Sequence, residues 1–406
     1  MKTFQSFSVV TSIALGVTAC GAPTGGESDP SPDQVSNDLP GALRGRTGYQ
    51  VAPLSSLGGT RSIGNSINNL SWVAGTSRLV GNQTIHASLW FEGRTLDLGT
   101  LGGVNSGVIW PVKNVRGMIS GIAETAEIDP LGENWSCSAF FPSVTGHVCR
   151  GFVWEHGHMR ALPTFGGTHG FATGTNNRGQ TVGWAENMVR DPTCNPPQIL
   201  QFRAALWGPR TNQIAELAPL AGDTTTAATA LNDRGQVVGI SGICSNAVGE
   251  YSAAHAVLWD GGRVIDLGNL GGVAWNTPMA LNQRGDVVGF ANAPATDPPN
   301  DFNVRAFLWT KRDGMRNLGT LAGDATSQAL GINERRQVVG VSCGAVCRAF
   351  IWEDGVMTDL NELVVSGTTE SLRIAGDIND RGQISGQTVD AANVRSAFVA
   401  NPTPLP

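Results

Sequence analysis

Charge is scarce in this chain of 406 residues. Only 15% of positions are Asp, Glu, Lys or Arg, and 27 basic against 33 acidic side chains leave a net charge of −6. That balance argues against holding a nucleic acid or an anionic membrane surface through bulk electrostatics. Long hydrophobic runs are missing as well: the apolar stretch from Phe7 to Ala19 is too short to span a bilayer. Several signatures that announce common enzyme classes are also lacking. There is no His-Glu-x-x-His, no phosphate-binding glycine loop and no calcium loop of alternating aspartates. Cys343 and Cys347 have no convergent histidines to make them half of a metal site. No cofactor or metal is therefore expected.

What the chain has in quantity is glycine, 53 residues of it, which suits many short strands joined by turns better than helices. The glycines are ordered. Asn68, Asn114, Asn176, Asn232, Asn282, Asn333 and Asn379 are each followed seven residues later by Gly75, Gly121, Gly183, Gly239, Gly289, Gly340 and Gly386. The Asn-to-Gly offset is constant while the distance between copies varies, so each repeat has a rigid part and an elastic part.

One copy shows the unit. Ala227–Leu231 reads as a first strand, Asn232-Asp233-Arg234-Gly235 as a turn, Gln236–Ile240 as a second strand, Ala256–Trp259 as a third and Arg263–Leu267 as a fourth. Four strands in about fifty residues is the size of a propeller blade. The third strand ends in Trp90, Trp154, Trp207, Trp259, Trp309 and Trp352, an aromatic placed to fill the wedge between neighbouring blades.

The chain stops after its seventh third strand, and the missing fourth strand stands at the other end, in Tyr49–Leu54. The expected fold is therefore all-β: a seven-bladed β-propeller of four-stranded blades over residues 49–406, its ring closed by an N-terminal strand with no long edge left open. The turns between first and second strands, and between third and fourth, are short. The other loops vary in length and share the opposite face, where function is expected.

Residues 1–19 read as a lipoprotein signal peptide. Val17-Thr18-Ala19-Cys20 resembles a lipobox, which implies cleavage before Cys20 and acylation of it, anchoring the protein to a membrane. Gly21 follows, with no aspartate to suggest inner-membrane retention, so the outer membrane or cell surface is the expected location. Residues 20–48, rich in Gly, Pro, Ser and Asp, read as a flexible tether. Six further cysteines suit an exported chain with disulfides. Cys137 with Cys149, and Cys343 with Cys347, would each close a loop within one repeat; Cys194 and Cys244 lie in corresponding loops of adjacent repeats.

Asp97–Gly103 (Asp-Leu-Gly-Thr-Leu-Gly-Gly), Asn232–Gly239 (Asn-Asp-Arg-Gly-Gln-Val-Val-Gly) and Arg305–Trp309 (Arg-Ala-Phe-Leu-Trp) resemble the bacterial extracellular repeat family named HAF for its His-Ala-Phe strand. The resemblance covers nearly all of residues 49–400 and implies an exported repeat protein, with no catalytic residues to carry over. The name-giving strand is partly kept, as His86-Ala87-Ser88, His255-Ala256-Val257 and Arg348-Ala349-Phe350. A histidine that is optional there argues against catalytic duty for His86 or His255.

Trp110, His169 and Trp275 depart from the repeat in the loops leading into first strands. They are the candidate ligand-binding residues, as aromatics able to line a channel mouth; filling a gap between blades is the competing role. The expected function is a lipid-anchored, monomeric binding or scaffold propeller of the cell envelope. It would engage a protein or glycan on the variable-loop face, without nucleic acid and without catalysis. The alternative is an envelope polysaccharide hydrolase or lyase, with Asp223 and Asp324 as acids at the channel.

Overall fold

The computed structural model describes residues 47–405 apart from 134, 210–212, 248–252 and 295–302. The expected signal peptide, Cys20 and nearly all of the tether lie outside these residues. Seven blades form. Five are separate four-stranded antiparallel sheets, and the other two share one larger sheet.

Blade 1 comprises Gly58–Ile67, Val73–Leu79, Ile85–Phe91 and Arg94–Asp97. Blades 2 to 6 repeat that order from Gly102 to Asp359. Blade 7 takes Ser371–Ile378, Ile384–Val389 and Arg395–Pro404 from the end of the chain and its fourth strand, Thr47–Pro53, from the beginning. Seven antiparallel pairs, from Thr47 opposite Pro404 to Pro53 opposite Phe398, fasten this closure. A short strand, Val364–Ser366, then covers the outer edge of Thr47–Pro53. The remaining fourth strands are only four residues long, a length that blunts an exposed edge.

The constant spacing of seven has a steric cause. A first strand carries a bulge, for example between Ala228 and Ala230, which pushes its backbone toward the second strand. A Cβ on any of the seven repeat glycines would fall 1.9 to 2.1 Å from a first-strand carbonyl oxygen, such as that of Ala227 for Gly239. Only glycine fits. The Leu-Gly-Gly elements and Phe165-Gly166-Gly167 follow similar logic: Gly58, Gly102, Gly166 and Gly271 have φ between +100° and +106°, and a Cβ on the glycine after each would press against the end of the second strand.

The asparagines close a belt. Each side-chain Oδ1 accepts the N–H groups two and four residues on, as Asn232 does from Arg234 and Gln236, which shapes the turn. Each Nδ2 donates to a carbonyl of the next blade: Asn68 to Asn114, Asn114 to Thr175, Asn176 to Asn232, Asn232 to Asn282, Asn282 to Asn333, Asn333 to Asn379, and Asn379 back to Asn68. The arginines at the third turn position lean the same way, Arg116 toward the Asn177 carbonyl and Arg381 onto that of Asn69.

The six tryptophans are buried, each in a cluster with the preceding blade. Trp259 packs with Val182 and Ala204, and Trp309 with Val238 and Leu258. The indoles of Trp90, Trp207 and Trp259 also donate to Ser55, Pro163 and Ala218, carbonyls in the loops that enter their blades. The wedge between blades is thus filled and tied.

Candidate functional site

The channel is closed near the belt. The residue before the belt asparagine is apolar or threonine in six blades and Lys113 in blade 2. Lys113 Nζ crosses the axis to the carbonyls of Ile332 and Ile378, both at 2.8 Å, and to Asp377 Oδ1 at 2.7 Å. Asp377 is fully buried and accepts further N–H bonds from Ile67 and Ile378. Burial pushes its carboxyl above the ordinary value, and the Lys113 charge pulls the other way. The space beside this plug, lined by Pro111, Gly174, Ala230 and Ala280 among others, has a volume of about 10 Å³, room for one water.

On the variable-loop face, insertions fold inward over the first strands. The helix Trp135–Phe140 and the following Phe141 join Trp110, Phe171, Trp184 and Trp275 in one core. Trp110 meets Phe140, Phe171 and Trp184 edge-on at 5.2 to 5.9 Å, and Phe171 stacks on Trp184 at 4.4 Å. Trp110 and Trp275 are each 5% exposed and His169 1%. The structure therefore places all three candidates inside the cap, with no ring face open to solvent. They depart from the repeat because the insertions of blades 2 to 5 need a core of their own. The Trp135 side chain lies outside the described set.

All six cysteines pair: Cys137–Cys149 and Cys343–Cys347 within repeats, and Cys194–Cys244 between blades 3 and 4.

A buried polar network ties the insertions together. Glu133 accepts the Ile199 and Leu200 N–H groups at 2.9 and 2.8 Å, linking blade 2 to blade 3. Glu186 accepts those of Thr168 and His169 and an amide bond from Gln198. His169 Nδ1 accepts the Cys149 N–H, and its Nε2 lies 3.2 Å from Asp129. Burial, then the Glu186 charge, pushes Glu133 up to about 7, and burial raises Glu186 as well. Burial would raise Asp129 too, but the His169 bond and the Leu131 N–H hold it below the usual range. These groups are almost entirely shielded from solvent and largely committed to backbone N–H groups, an arrangement that fastens loops.

The other sequence candidates are held in structural bonds. Asp223 accepts the Ser241 hydroxyl at 2.6 Å, and Asp324 pairs with Arg348 at 3.0 Å. His86 and His255 pair with Asp97 and Asp266 of the adjacent fourth strand, as Arg203 does with Glu216 and Arg348 with Asp359. The His-or-Arg start of the third strand thus answers the acid that opens the Asp-Leu-Gly element. Gly340-Val341-Ser342-Cys343-Gly344 spells a nucleophile-elbow pattern, but its serine lies within the strand Val338–Cys343 and not at a strand-to-helix turn, and buried Ser342 accepts the Leu321 N–H. Among the described residues no group of three or more His, Cys, Asp or Glu could hold a metal ion, and no helix is long and apolar enough to cross a membrane.

What sequence reasoning missed is charge. Lys113 and Asp377 are single departures at ring positions otherwise apolar or small, and that was the available signal. Four arginines at the seam of blades 7 and 1 carried no such signal.

The topology defines an all-β propeller with strand-exchange closure. Among solved structures the chain is similar to the β-propeller domain of the Trilobed protease from Pyrococcus furiosus (TM-score 0.44, 8% identity, 88% of this chain and 96% of that one). It is also similar to an oligogalacturonate lyase in complex with manganese (0.47, 10%, 88% and 96%). A third likeness is to a puromycin-hydrolyzing peptidase of Mycobacterium tuberculosis (0.44, 13%, 84% and 50%). No family model and no curated protein matches, so the likeness to HAF repeats rests on the motifs alone.

Proposed function

We propose that the protein is a non-catalytic binding propeller of the HAF type, lipid-anchored at Cys20 in the cell envelope, which engages a protein or glycan on its variable-loop face. The observation that carries this reading is the division of labour between the two faces. The short-turn face is spent on the asparagine belt. The other bears the long second strands Ile119–Ile128 and Thr181–Arg190, whose last residues stand free of the core. Ile128, Val144, Met188, Val189 and Val273 are exposed there, Val273 by 84% and Met188 by 77%. Contiguous exposed apolar patches rimmed by polar residues mark interaction surfaces, and we take these side chains as the seed of one. With the channel plugged and the cap packed, recognition falls to this outer surface.

Glycan-array and defined-protein binding screens with folded, acylated protein test the proposal. A ligand whose binding is lost in Met188→Asp or Ile128→Asp supports it. Blank screens, or hydrolysis of an envelope polysaccharide that disappears in Asp223→Ala or Asp324→Ala, would overturn it. Loss of acyl labelling in Cys20→Ser checks the anchor.

A further inference from the structure

Where the ring closes, the chain brings together four arginines that are distant in sequence. Arg61 begins the inner part of the blade 1 first strand and pairs by its backbone with Arg395, which opens the blade 7 third strand. Arg78 lies near the end of the blade 1 second strand, and Arg373 near the start of the blade 7 first strand. All four sit at the strand ends that meet the variable-loop face, and all are half-buried.

None of the four forms an ion pair with a carboxylate among the described residues. Arg78 donates to the Asn82 carbonyl and Arg373 to that of Cys347. Arg395 Nε is buried with no hydrogen-bond partner. Buried polar atoms are normally satisfied, and guanidinium groups stay charged in proteins. Burial, and then the charges of Arg61, Arg373 and Arg78, lower the Arg395 pKa; burial and Arg61 do the same to Arg78. Glu370, three residues before Arg373, accepts the Thr388 hydroxyl. Other half-buried arginines at strand ends are either matched, as Arg348 is by two aspartates and Arg203 by Glu216, or singly placed and bonded to neutral oxygens, as Arg150 and Arg305 are. A chain of net charge −6 has carboxylates to spare, yet the described residues supply none here.

We infer that Arg61, Arg78, Arg373 and Arg395 form a binding site for a polyvalent oxyanion, a ligand carrying closely spaced carboxylate, sulfate or phosphate groups. The planar guanidinium fork matches these groups with paired N–H donors. Four such forks with no internal counter-charge call for more than one negative charge in the ligand. Because two arginines come from each end of the sequence, the site exists only in the closed ring, and its ligand holds the seam shut.

This inference rests on the reading of the variable-loop face as the binding face and names the ligand chemistry. Calorimetric titration of the full-length protein at low ionic strength tests it, with tripolyphosphate and an acidic oligouronide as probes and a neutral oligosaccharide as control. One-site binding of at least one acidic probe is expected, weakened about ten-fold or more in Arg61→Gln and in Arg395→Gln. It should be unchanged in Arg178→Gln and Arg234→Gln on the opposite face. The tighter probe identifies the phosphate or the glycan source. Without ligand, Arg395→Met, which keeps the apolar stem, should melt at or above the parent temperature at low salt because like-charge repulsion is relieved. No binding of either acidic probe overturns the inference, as does equal loss from the opposite-face variants or a lower melting temperature for Arg395→Met. Binding at the arginines with blank envelope screens would overturn the broader function alone; an envelope ligand indifferent to these substitutions would overturn the site alone.

Discussion

Replacing Asn379 by Ala removes the link of the asparagine belt between the last blade and the first. Its Nδ2 donates to the Asn68 carbonyl at 2.9 Å and to Gln383 Oε1 at 2.8 Å, and its Oδ1 accepts the Arg381 and Gln383 N–H groups at 3.0 Å each. The residue is 3% exposed, so water cannot replace all four bonds. At roughly 1 kcal/mol net for each, the substitution costs about 4 kcal/mol, a large share of the stability of an ordinary domain. Equilibrium urea unfolding followed by tryptophan fluorescence, with the parent and Asn232→Ala alongside, measures it. Asn232 makes the equivalent four bonds inside the ring, so its loss should be similar. Asn379→Asp keeps both accepted bonds and loses both donations, and should cost at least half as much. A cost below about 1 kcal/mol for Asn379→Ala would show that the belt is incidental to closure.

Lys113→Met leaves Asp377 buried without its counter-charge and should cost about 3–5 kcal/mol; the double variant Lys113→Met/Asp377→Asn should recover most of that in the same unfolding assay. Gly239→Ala should give no soluble ring, because the added methyl lies 2.1 Å from the Ala227 carbonyl, whereas Gly261→Ala, with open space around it, should fold. Glu133 has a folded-state pKa of about 7 against an ordinary 4.5, so the folded protein binds this proton more tightly than the unfolded chain. Its contribution is present below about pH 4.5 and fades as pH rises to about 7. Glu133→Gln should flatten the melting-temperature profile across that window, and an unchanged profile would place the titration elsewhere.

The fold was legible because its constraints are local and repeated. Each glycine is required by a carbonyl twelve to fourteen residues earlier, and each asparagine shapes its own turn, so both leave a mark at fixed spacing. Closure was legible too, by counting strands at the two ends. The cap was not. Trp110, His169 and Trp275 stand out from the repeat in the same way whether they face a ligand or fill a private core, and only packing separates the two. The arginines were invisible for a different reason: Arg61 and Arg395 are ordinary strand residues until the ring sets them side by side.

The closing strand also orients the molecule. Thr47 enters beside Pro404, beyond the asparagine belt, and the chain runs from there toward the variable loops. The ring is thus entered on the short-turn face, as a stalk enters the underside of a dish. The cap and the arginine seam lie on the other face, so a ligand can reach them without crossing the point where the chain joins the ring.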